Sequence, residues 1–446
     1  MIKTKQTACA IALSLLLGAC ANVGDKSLSE SAKTITGNKV AWQPLTRDDK
    51  TPAAAITASK LTDLIDVSGI EHLSDFIDEA LSHNPSLQQT LITLRQAQVA
   101  IKSAESQDNL NIDASLSGAK GEQSDTSFTG SLSVSWELDL WQKIADGVTA
   151  ANLDAASARA SYQSARDSLD ASVIRSYIEV ITQQNLLAIE RQRLQVLENQ
   201  EAIILTRYRT GLGDLDDLDT ARTSSASTRA TIAQYEYALA ASKRTLAVLL
   251  GRQEQSLPEL HSNVSYPDVL VPLTSVPDQD LARRPDLQAA YFTIKASEHN
   301  VDVAYKALLP SINLSAALTD TASSASDALF SNPLWSLLGQ ITAPLFQGGE
   351  LRAQVDTAEL NALTAWWQYK ETLLNAVQET QDAIDNERTL TARIRFTAEA
   401  IDNAQRSVQS TSGDYRQGLA DILDLLSVYN TRFDLQAQQV ELRASQ

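Results

Sequence analysis

The chain has few cysteines, few aromatic residues and no excess of positive charge. Its 446 residues include only two cysteines, and aromatic residues make up 5% of the composition. Lysine and arginine total 37 against 55 acidic residues, for a net charge of -18. Because nucleic-acid binding needs a basic face, this balance disfavours a nucleic-acid partner. No segment after the N-terminal region approaches the ~18 consecutive apolar residues of a transmembrane helix.

The N-terminal residues are predicted to be a targeting segment. Two lysines precede an apolar run from Ala8 to Leu17, the pattern of a signal peptide. The run leads into Leu17–Cys20, which resembles a bacterial lipobox. We therefore predict a signal peptide over residues 1–19 and a lipid-modified Cys20; an ordinary signal peptide with an incidental cysteine is the alternative. Since Ala21 replaces the aspartate that signals inner-membrane retention, the outer membrane is the favoured location.

A lipid-modified Cys20 leaves no thiol for a disulfide, a metal site or nucleophilic catalysis, because Cys9 would leave with the signal peptide. Residues 20–70 are polar and contain Pro44 and Pro52, so we expect a lipid-anchored, extended leader with little regular structure. A single lipid chain rarely gives permanent attachment. A second membrane contact is therefore expected.

Glycine and proline are both absent from two stretches of 63 residues, Val148 to Thr210 and Glu350 to Ser412. A helix filling either stretch would be roughly 95 Å long at ~1.5 Å per residue. Each stretch leads into nearly the same sequence, Tyr208–Asp214 in one case and Tyr415–Asp421 in the other. These features predict an internal duplication in which each half contains a very long helical hairpin.

The predicted repeats span residues 71–260 and 261–446, and each contains a helix, two strands, a long helix and a shorter helix. In the first repeat we expect a helix from Pro85, two strands at about 110–140, and helices at about 141–210 and 214–250. In the second repeat we expect a helix at about 285–307, two strands at about 310–345, and helices at about 349–412 and 420–446.

The predicted strands alternate apolar and polar residues with a period of two. The apolar positions are Ile112, Ala114, Leu116, Leu132, Val134, Trp136 and Leu138, then Ile312, Leu314, Ala316, Leu318, Trp335, Leu337, Gly339, Ile341, Ala343 and Leu345. Such strands are typical of a transmembrane β-barrel with a wet interior, and they would supply the second membrane contact. A half-buried strand in a soluble sheet is the alternative.

The long helices carry apolar residues at steps of seven, which predicts coiled-coil packing. These residues are Val173, Val180, Leu187 and Leu194 in the first, and Val377, Ile384, Ile394, Ile401 and Val408 in the second. Four strands per chain cannot close a membrane barrel, and open strand edges in lipid are costly. We therefore expect oligomerisation, with three copies giving twelve strands and six similar units around one axis.

Several motifs resemble those of the TolC-like outer membrane efflux proteins, in particular their lipoprotein branch. These are the Arg284–Asp286 helix start, the Pro344–Gly349 link, and the paired turns Tyr208–Leu212 and Tyr415–Leu419. The resemblance covers the chain from about residue 70 onward. It implies an α+β membrane protein forming a homotrimer, with a twelve-stranded β-barrel in the outer membrane and a long α-helical barrel in the periplasm.

Proteins of this family are passive exit ducts that dock an inner-membrane transporter through a periplasmic adaptor. The resemblance therefore predicts an efflux duct in contact with outer-membrane lipids. Two other functions are kept open, a duct for type I protein secretion and a structural coiled-coil surface lipoprotein. In the family a further segment commonly follows the last helix, whereas this sequence stops at Gln446. Either a thinner belt around the second repeat or a shortened form of the sequence would explain this difference, and either would weaken assembly.

We expect no catalytic residue, metal or cofactor, because the four histidines are scattered without metal-ligand spacing. The candidate functional residues lie in the two turns. Gly211 and Gly418 suit the left-handed position that ends a helix, and Asp214 and Asp421 suit the N-cap of the next helix. Asp217, like Asp424 in the second repeat, would then occupy the third helical position, where a carboxylate favours the positive helix end.

By the resemblance, the second turn lies at the periplasmic tip and Asp424 corresponds to an aspartate that rings the constriction. Three such carboxylates would attract cations. Ser427 stands where the family has a second acidic residue. The flanking leucines are candidates for the apolar part of the gate, although a coiled-coil seam explains them equally well; they are Leu423, Leu425 and Leu426. Arg209 and Arg416 are candidates for adaptor contact.

Overall fold

The computed structural model describes residues 27–35, 72–122, 124–253, 257–258, 266, 283–329 and 331–446. In chain order the helices and strands of these residues are α1 (Leu28–Ile35), α2 (Leu73–His83), α3 (Pro85–Glu105), β1 (Asn111–Gly121), β2 (Ser124–Glu137), α4 (Lys143–Arg209), α5 (Leu215–Leu249), α6 (Pro285–Lys306), β3 (Ser311–Ala322), β4 (Leu334–Thr342), α7 (Glu350–Gln417) and α8 (Ile422–Ser445). Cys20 and the predicted signal peptide lie outside the described residues, as does most of the predicted leader.

The described residues divide into two compact units, and each unit draws on both halves of the chain. One unit contains the described parts of residues 1–40, 107–150 and 290–370, which include the four strands. The other contains the described parts of residues 41–106, 151–289 and 371–446, which include both turns between helices. The sequence repeats are therefore not the compact units of the fold.

The two long helices have 67 and 68 residues. The second was predicted to end at Ser412 but continues to Gln417. The reason is that one internal glycine, Gly413, costs a helix only about 1 kcal/mol and does not stop it. The helix ends instead before Gly418, whose φ of 76° lies in the left-handed region. Among the described residues, no helix is both long enough and apolar enough to cross a membrane.

The four strands form one antiparallel sheet in the order β1-β2-β3-β4. Its register aligns the predicted apolar positions across all four strands. One row contains Ala114, Leu132, Leu318 and Trp335, and the next contains Ile112, Val134, Ala316 and Leu337. The opposite face is polar in β1 and β2, with the Ser115 and Ser131 hydroxyls 3.0 Å apart. In β4 that face also carries Leu334 and Leu338, so the sheet has one largely apolar face and one mixed, mainly polar face.

Strand β4 is shorter than predicted, since it ends at Thr342 and leaves Ala343 and Leu345 outside it. Pro344 lies between them and has no backbone N–H for the ladder, so the strand stops before it. Leu345 and Phe346 follow with 93% and 88% exposure in the single chain.

One short helix, α1, forms within the segment 20–70 that was predicted to be a largely extended leader. The Ser27 hydroxyl accepts a hydrogen bond from the Glu30 amide at 3.1 Å, which caps the helix. The Ser29 amide donates to Glu298 Oε1 at 2.9 Å, and Ala32 is fully buried. Capping and burial of one face therefore order a segment whose polar composition indicated otherwise.

The seven-residue spacing of buried positions is present in both long helices, but the predicted positions are only partly right. In α4, Val173, Val180 and Leu187 are buried as predicted, and Leu194 is half-buried. In α7, Ile384 and Val408 are buried, whereas Val377, Ile394 and Ile401 are only half-buried. A neighbouring row, Leu390, Thr397 and Ala404, is buried instead. Hydrophobicity alone missed this row because two of its members are small or polar.

Helix α2, which the sequence analysis did not predict, belongs to the main core of the second unit. Its Leu73, Phe76, Ile77 and Ala80 pack with residues of α4 that include Val173 and Tyr177. The Phe76 and Tyr177 rings lie 6.2 Å apart between centroids. The Asn84 side chain then accepts a hydrogen bond from the Leu87 amide at 3.1 Å, which starts α3.

Candidate functional site

The first turn between helices joins α4 to α5 through a left-handed glycine. Gly211 has a φ of 76°, a conformation that glycine adopts at little cost. The Leu212 amide donates to the Arg207 carbonyl at 2.8 Å, which closes the end of α4. Asp214 is the N-cap of α5, and its side chain accepts from the Asp217 amide at 2.9 Å. The predicted backbone roles of Gly211 and Asp214 are therefore confirmed.

The second turn joins α7 to α8 with the same geometry. Gly418 also has a φ of 76°, and the Leu419 amide donates to the Asp414 carbonyl at 2.9 Å. Asp421 accepts from the Asp424 amide at 2.8 Å, and the Asp424 side chain accepts from the Asp421 amide at 3.4 Å. This capping box satisfies two backbone donors at the start of α8. The predicted capping roles of Gly418 and Asp421 are confirmed in the same way.

The two turns contact each other through Arg207 and Tyr415, a pair that the sequence analysis did not single out. The Arg207 Nη1 donates to the Tyr415 hydroxyl at 3.0 Å, and the guanidinium lies 5.5 Å from the centre of the tyrosine ring. The duplicated motif was the available signal, since it begins at Tyr208 in one repeat and at Tyr415 in the other. The sequence did not show that the tyrosine of one repeat faces an arginine of the other.

Asp217 lies beside the contact between the turns. Partial burial raises the pKa of its carboxyl group, and the negative charges of Asp214 and Asp421 raise it further, while Arg207 lowers it. Asp421 of the second turn therefore raises the pKa of Asp217 in the first turn. The end of the helical unit is an acidic surface in which these carboxylates interact.

The structure separates the predicted gate residues into two groups. Leu423, Asp424 and Ser427 are exposed in the single chain, with Leu423 at 48%. Leu425 and Leu426 are 2% and 4% exposed, and they pack in a core cluster with residues of α4 and α5. The burial of these two leucines favours the coiled-coil interpretation of them. Any gate formed by this turn is thus limited to the exposed residues, which are Leu423, Asp424 and Ser427.

Arg209 and Arg416, the candidates for adaptor contact, are both exposed next to the turns. Their side chains make no ion pair among the residues that the structure describes. Each turn therefore presents an exposed arginine that makes no ion pair in the described part of the chain, beside several carboxylates, a surface suited to a partner with both signs of charge.

One further cluster of potential ligands lies in the unit that contains the sheet. Ligand atoms of Asp146, His299 and Asp302 lie within 4.8 Å of one another. The Lys306 ammonium pairs with Asp146, whose other carboxylate oxygen lies 3.3 Å from His299 Nδ1. Burial raises the pKa of Asp302. Because Lys306 already neutralises Asp146, the cluster is accounted for as an internal ion-pair network.

Residues 76–252 and 276–446 match the family described as outer membrane efflux protein. The chain belongs to this family. It is an outer-membrane exit duct of the tripartite efflux type and not an enzyme. A structural coiled-coil surface lipoprotein, the alternative from another class of protein, is therefore wrong.

Individual relatives agree with this assignment. The chain is 27% identical over 333 residues to the pyoverdine export outer membrane protein OpmQ of Pseudomonas putida, covering 74% of this chain and 70% of the relative. It is 25% identical over 382 residues to the probable outer membrane lipoprotein SilC of Salmonella typhimurium, covering 84% and 82%.

A solved structure of CusC has a TM-score of 0.79 at 22% identity, covering 90% of this chain and 96% of that one. This likeness shows the fold, that of trimeric channels with long helices and a β-barrel part. Channels of the family work with a periplasmic adaptor and an inner-membrane pump.

Proposed function

We propose that three copies of this chain form a lipid-anchored efflux duct. Its periplasmic opening is controlled by the exposed residues of the second turn, Leu423, Asp424 and Ser427. The observation that supports the proposal most directly is the position of Asp424. Its side chain is exposed in the first turn of α8, and its backbone amide is held by Asp421 at 2.8 Å. Because this hydrogen bond fixes the start of α8, the Asp424 carboxylate occupies the same position in each copy. Three copies would form a ring of negative charge that attracts cations.

Leu423 and Ser427 complete the proposed gate on the same exposed surface. Leu423 would narrow the opening with an apolar side chain, and Ser427 would add a neutral polar ring in place of a second acidic one. The buried Leu425 and Leu426 hold α8 against the neighbouring helices. Their role in the proposal is to fix the helix that carries Asp424.

The lipid anchor and the adaptor contact belong to the same proposal. The lipobox-like Leu17–Cys20 supports a lipid at Cys20, as does similarity to a relative described as a probable outer membrane lipoprotein. Arg209 and Arg416 would contact the adaptor, because they are exposed beside turns whose backbone is fixed by glycine and aspartate. The cargo would be delivered by the inner-membrane transporter.

Single-channel conductance in planar bilayers tests the gate. Asp424→Asn removes the charge with little change in shape, and Asp217→Asn makes the same change in the first turn as a matched control. We expect a small, cation-preferring conductance in the parent, loss of this preference in Asp424→Asn, and little change in Asp217→Asn. Conductance that is identical in all three proteins would leave the duct in place and reject the gate. Lack of conductance from a folded trimer would reject the duct itself.

A further inference from the structure

A polar groove of about 620 Å³ lies between α4, α5 and α8, away from the two turns. Glu190 and Arg193 of α4 line it, Tyr235 of α5 forms one side, and Asp434 and Glu441 of α8 form the other. Ligand pockets commonly have volumes of roughly 300–1,000 Å³. The groove is therefore large enough for a small organic molecule.

A buried carboxylate at the groove is only partly satisfied. Glu190 is 4% exposed, and its Oε1 lies 3.5 Å from Arg193 Nε. Its Oε2 has no hydrogen-bond partner among the described residues. A buried charged oxygen without a partner is costly, because it has lost water without gaining a donor. Glu190, which lines the groove, thus carries a buried oxygen that the described residues leave without a donor.

The charges around the groove are unbalanced. Glu190, Asp434 and Glu441 supply three carboxylates, and Arg193 supplies the one cation among the lining residues. Arg193 pairs directly with Asp434 and stacks over the Phe433 ring, 5.6 Å from its centre. One guanidinium cannot neutralise three carboxylates, so the groove has a negative potential that favours a cation.

The pKa values of two lining residues are raised mainly by burial, and the surrounding charges contribute less. Burial raises the pKa of Glu190, the charge of Asp434 raises it further, and Arg193 lowers it. Burial also raises the pKa of Tyr235, and the charges of Glu190, Glu441 and Asp434 add to this effect. The Tyr235 ring provides an apolar and aromatic wall beside the carboxylates, which suits an organic cation.

We propose that this groove binds a small organic cation with N–H donors, such as an ammonium or guanidinium compound. A metal ion fits less well, because the one group of three potential ligands found close together in the described residues is at Asp146, not here. The inference rests on the proposed duct only for its consequence in transport, because a cation site between α4, α5 and α8 would favour cationic cargo. Binding itself is measured without transport.

Ethidium, a fluorescent cation with amino groups, is a suitable probe for the detergent-solubilised oligomer. Fluorescence anisotropy should show saturable binding to the parent, with at least tenfold weaker binding to Glu190→Gln. Glu236→Gln is the control, because Glu236 of α5 is adjacent to Tyr235 in sequence but pairs with Arg191 and does not line the groove. Its affinity should equal that of the parent. Empty micelles measure the partition of the probe into detergent.

Two further variants identify the site. Arg193→Leu removes the built-in guanidinium and should bind ethidium more tightly, provided that circular dichroism shows a folded protein. Asp424→Asn should keep the parent affinity, because the proposed gate is a different group of residues. Equal affinity of the parent and Glu190→Gln, or no saturable binding to a folded oligomer, would overturn the inference. Conductance of the same preparations shows independently whether the duct is intact.

Acid should weaken the binding, because protonation of Glu190 removes the charge that the cation meets. The raised pKa of Glu190 places this loss above the pH at which an ordinary glutamate titrates. Glu190→Gln should lack that component of the pH dependence, while protonation of Asp434 and Glu441 would act on both proteins. A parent and a variant with the same pH profile would contradict the role given to Glu190.

Discussion

Arg207 and Tyr415 link the two turns of the helical unit across the sequence repeat. The Arg207 Nη1 donates to the Tyr415 hydroxyl at 3.0 Å, and the guanidinium stacks over the same ring. Residue 207 precedes the first turn, and residue 415 precedes the second. The pair therefore couples the position of one turn to the position of the other.

Loss of this pair should favour an open second turn. In Arg207→Ala both the hydrogen bond and the stacking contact are removed, which we expect to cost about 1.4 kcal/mol at this exposed site. This change corresponds to about a tenfold shift in an equilibrium. Single-channel recording should show a larger open fraction or conductance. Tyr415→Phe keeps the ring and loses only the hydroxyl, so its effect should be smaller; a larger effect than that of Arg207→Ala would contradict the assignment.

The capping box at Asp421 should stabilise the first turn of α8. Asp421→Ala removes the acceptor of the Asp424 amide, and loss of an N-cap costs about 1 kcal/mol. Hydrogen exchange of the first amides of α8 should become about fivefold faster, since exchange follows the local opening free energy. Asp421→Asn retains a good N-cap and is the control. Unchanged protection in Asp421→Ala would show that tertiary packing alone holds the turn.

The local features of these turns were predictable from sequence, whereas the contacts between them were not. Gly211 and Asp214 act through backbone geometry over a few residues, so their spacing along the chain is sufficient evidence. The Arg207–Tyr415 pair depends on how the hairpins pack, and a single sequence does not contain that information. For the same reason the burial of Leu425 and Leu426 was not predictable, since a run of leucines does not show which of them face a core.

The sheet was predictable for a related reason. Alternation with a period of two fixes which residues share a face, and the observed register then aligns them, as for Leu132 and Leu318. Composition was a poorer guide elsewhere. The buried row in α7 includes Thr397 and Ala404, which no hydrophobic pattern would select. Helix α1 lies in a polar segment, where a Ser27 cap and a buried Ala32 provide the order.

The Glu79–Arg252 pair should contribute stability that depends on pH. Arg252 donates to both carboxylate oxygens of Glu79, at 2.6 and 2.7 Å, and these bonds lower the pKa of Glu79. A lowered folded-state pKa means that the contribution is complete above the ordinary glutamate pKa and is lost as the pH falls through the folded value. Urea unfolding of the parent and Glu79→Gln should differ by about 2 kcal/mol at neutral pH and converge in acid.

The exposed Glu198–Arg229 pair is the control for this measurement. Its two atoms lie 2.8 Å apart, but about half of each side chain is exposed. Solvent screening makes such pairs worth about 0–1 kcal/mol. Glu198→Gln should therefore change the unfolding free energy much less than Glu79→Gln. If the difference between the parent and Glu79→Gln were constant from neutral pH to pH 3, the ionised carboxylate would not be the stabilising group.

The two faces of the sheet should differ sharply in their tolerance of charge. Leu337 lies in an apolar row with Ala316, and the adjacent Ser336 lies on the opposite face, paired with Ala317. If the apolar face contacts lipid, Leu337→Arg should cost about 2–4 kcal/mol near the middle of the bilayer, while Ser336→Arg faces water and costs little. The amount of trimer recovered from outer membranes measures the effect of each substitution. Equal recovery of the two variants, at similar expression, would contradict a lipid-facing apolar row.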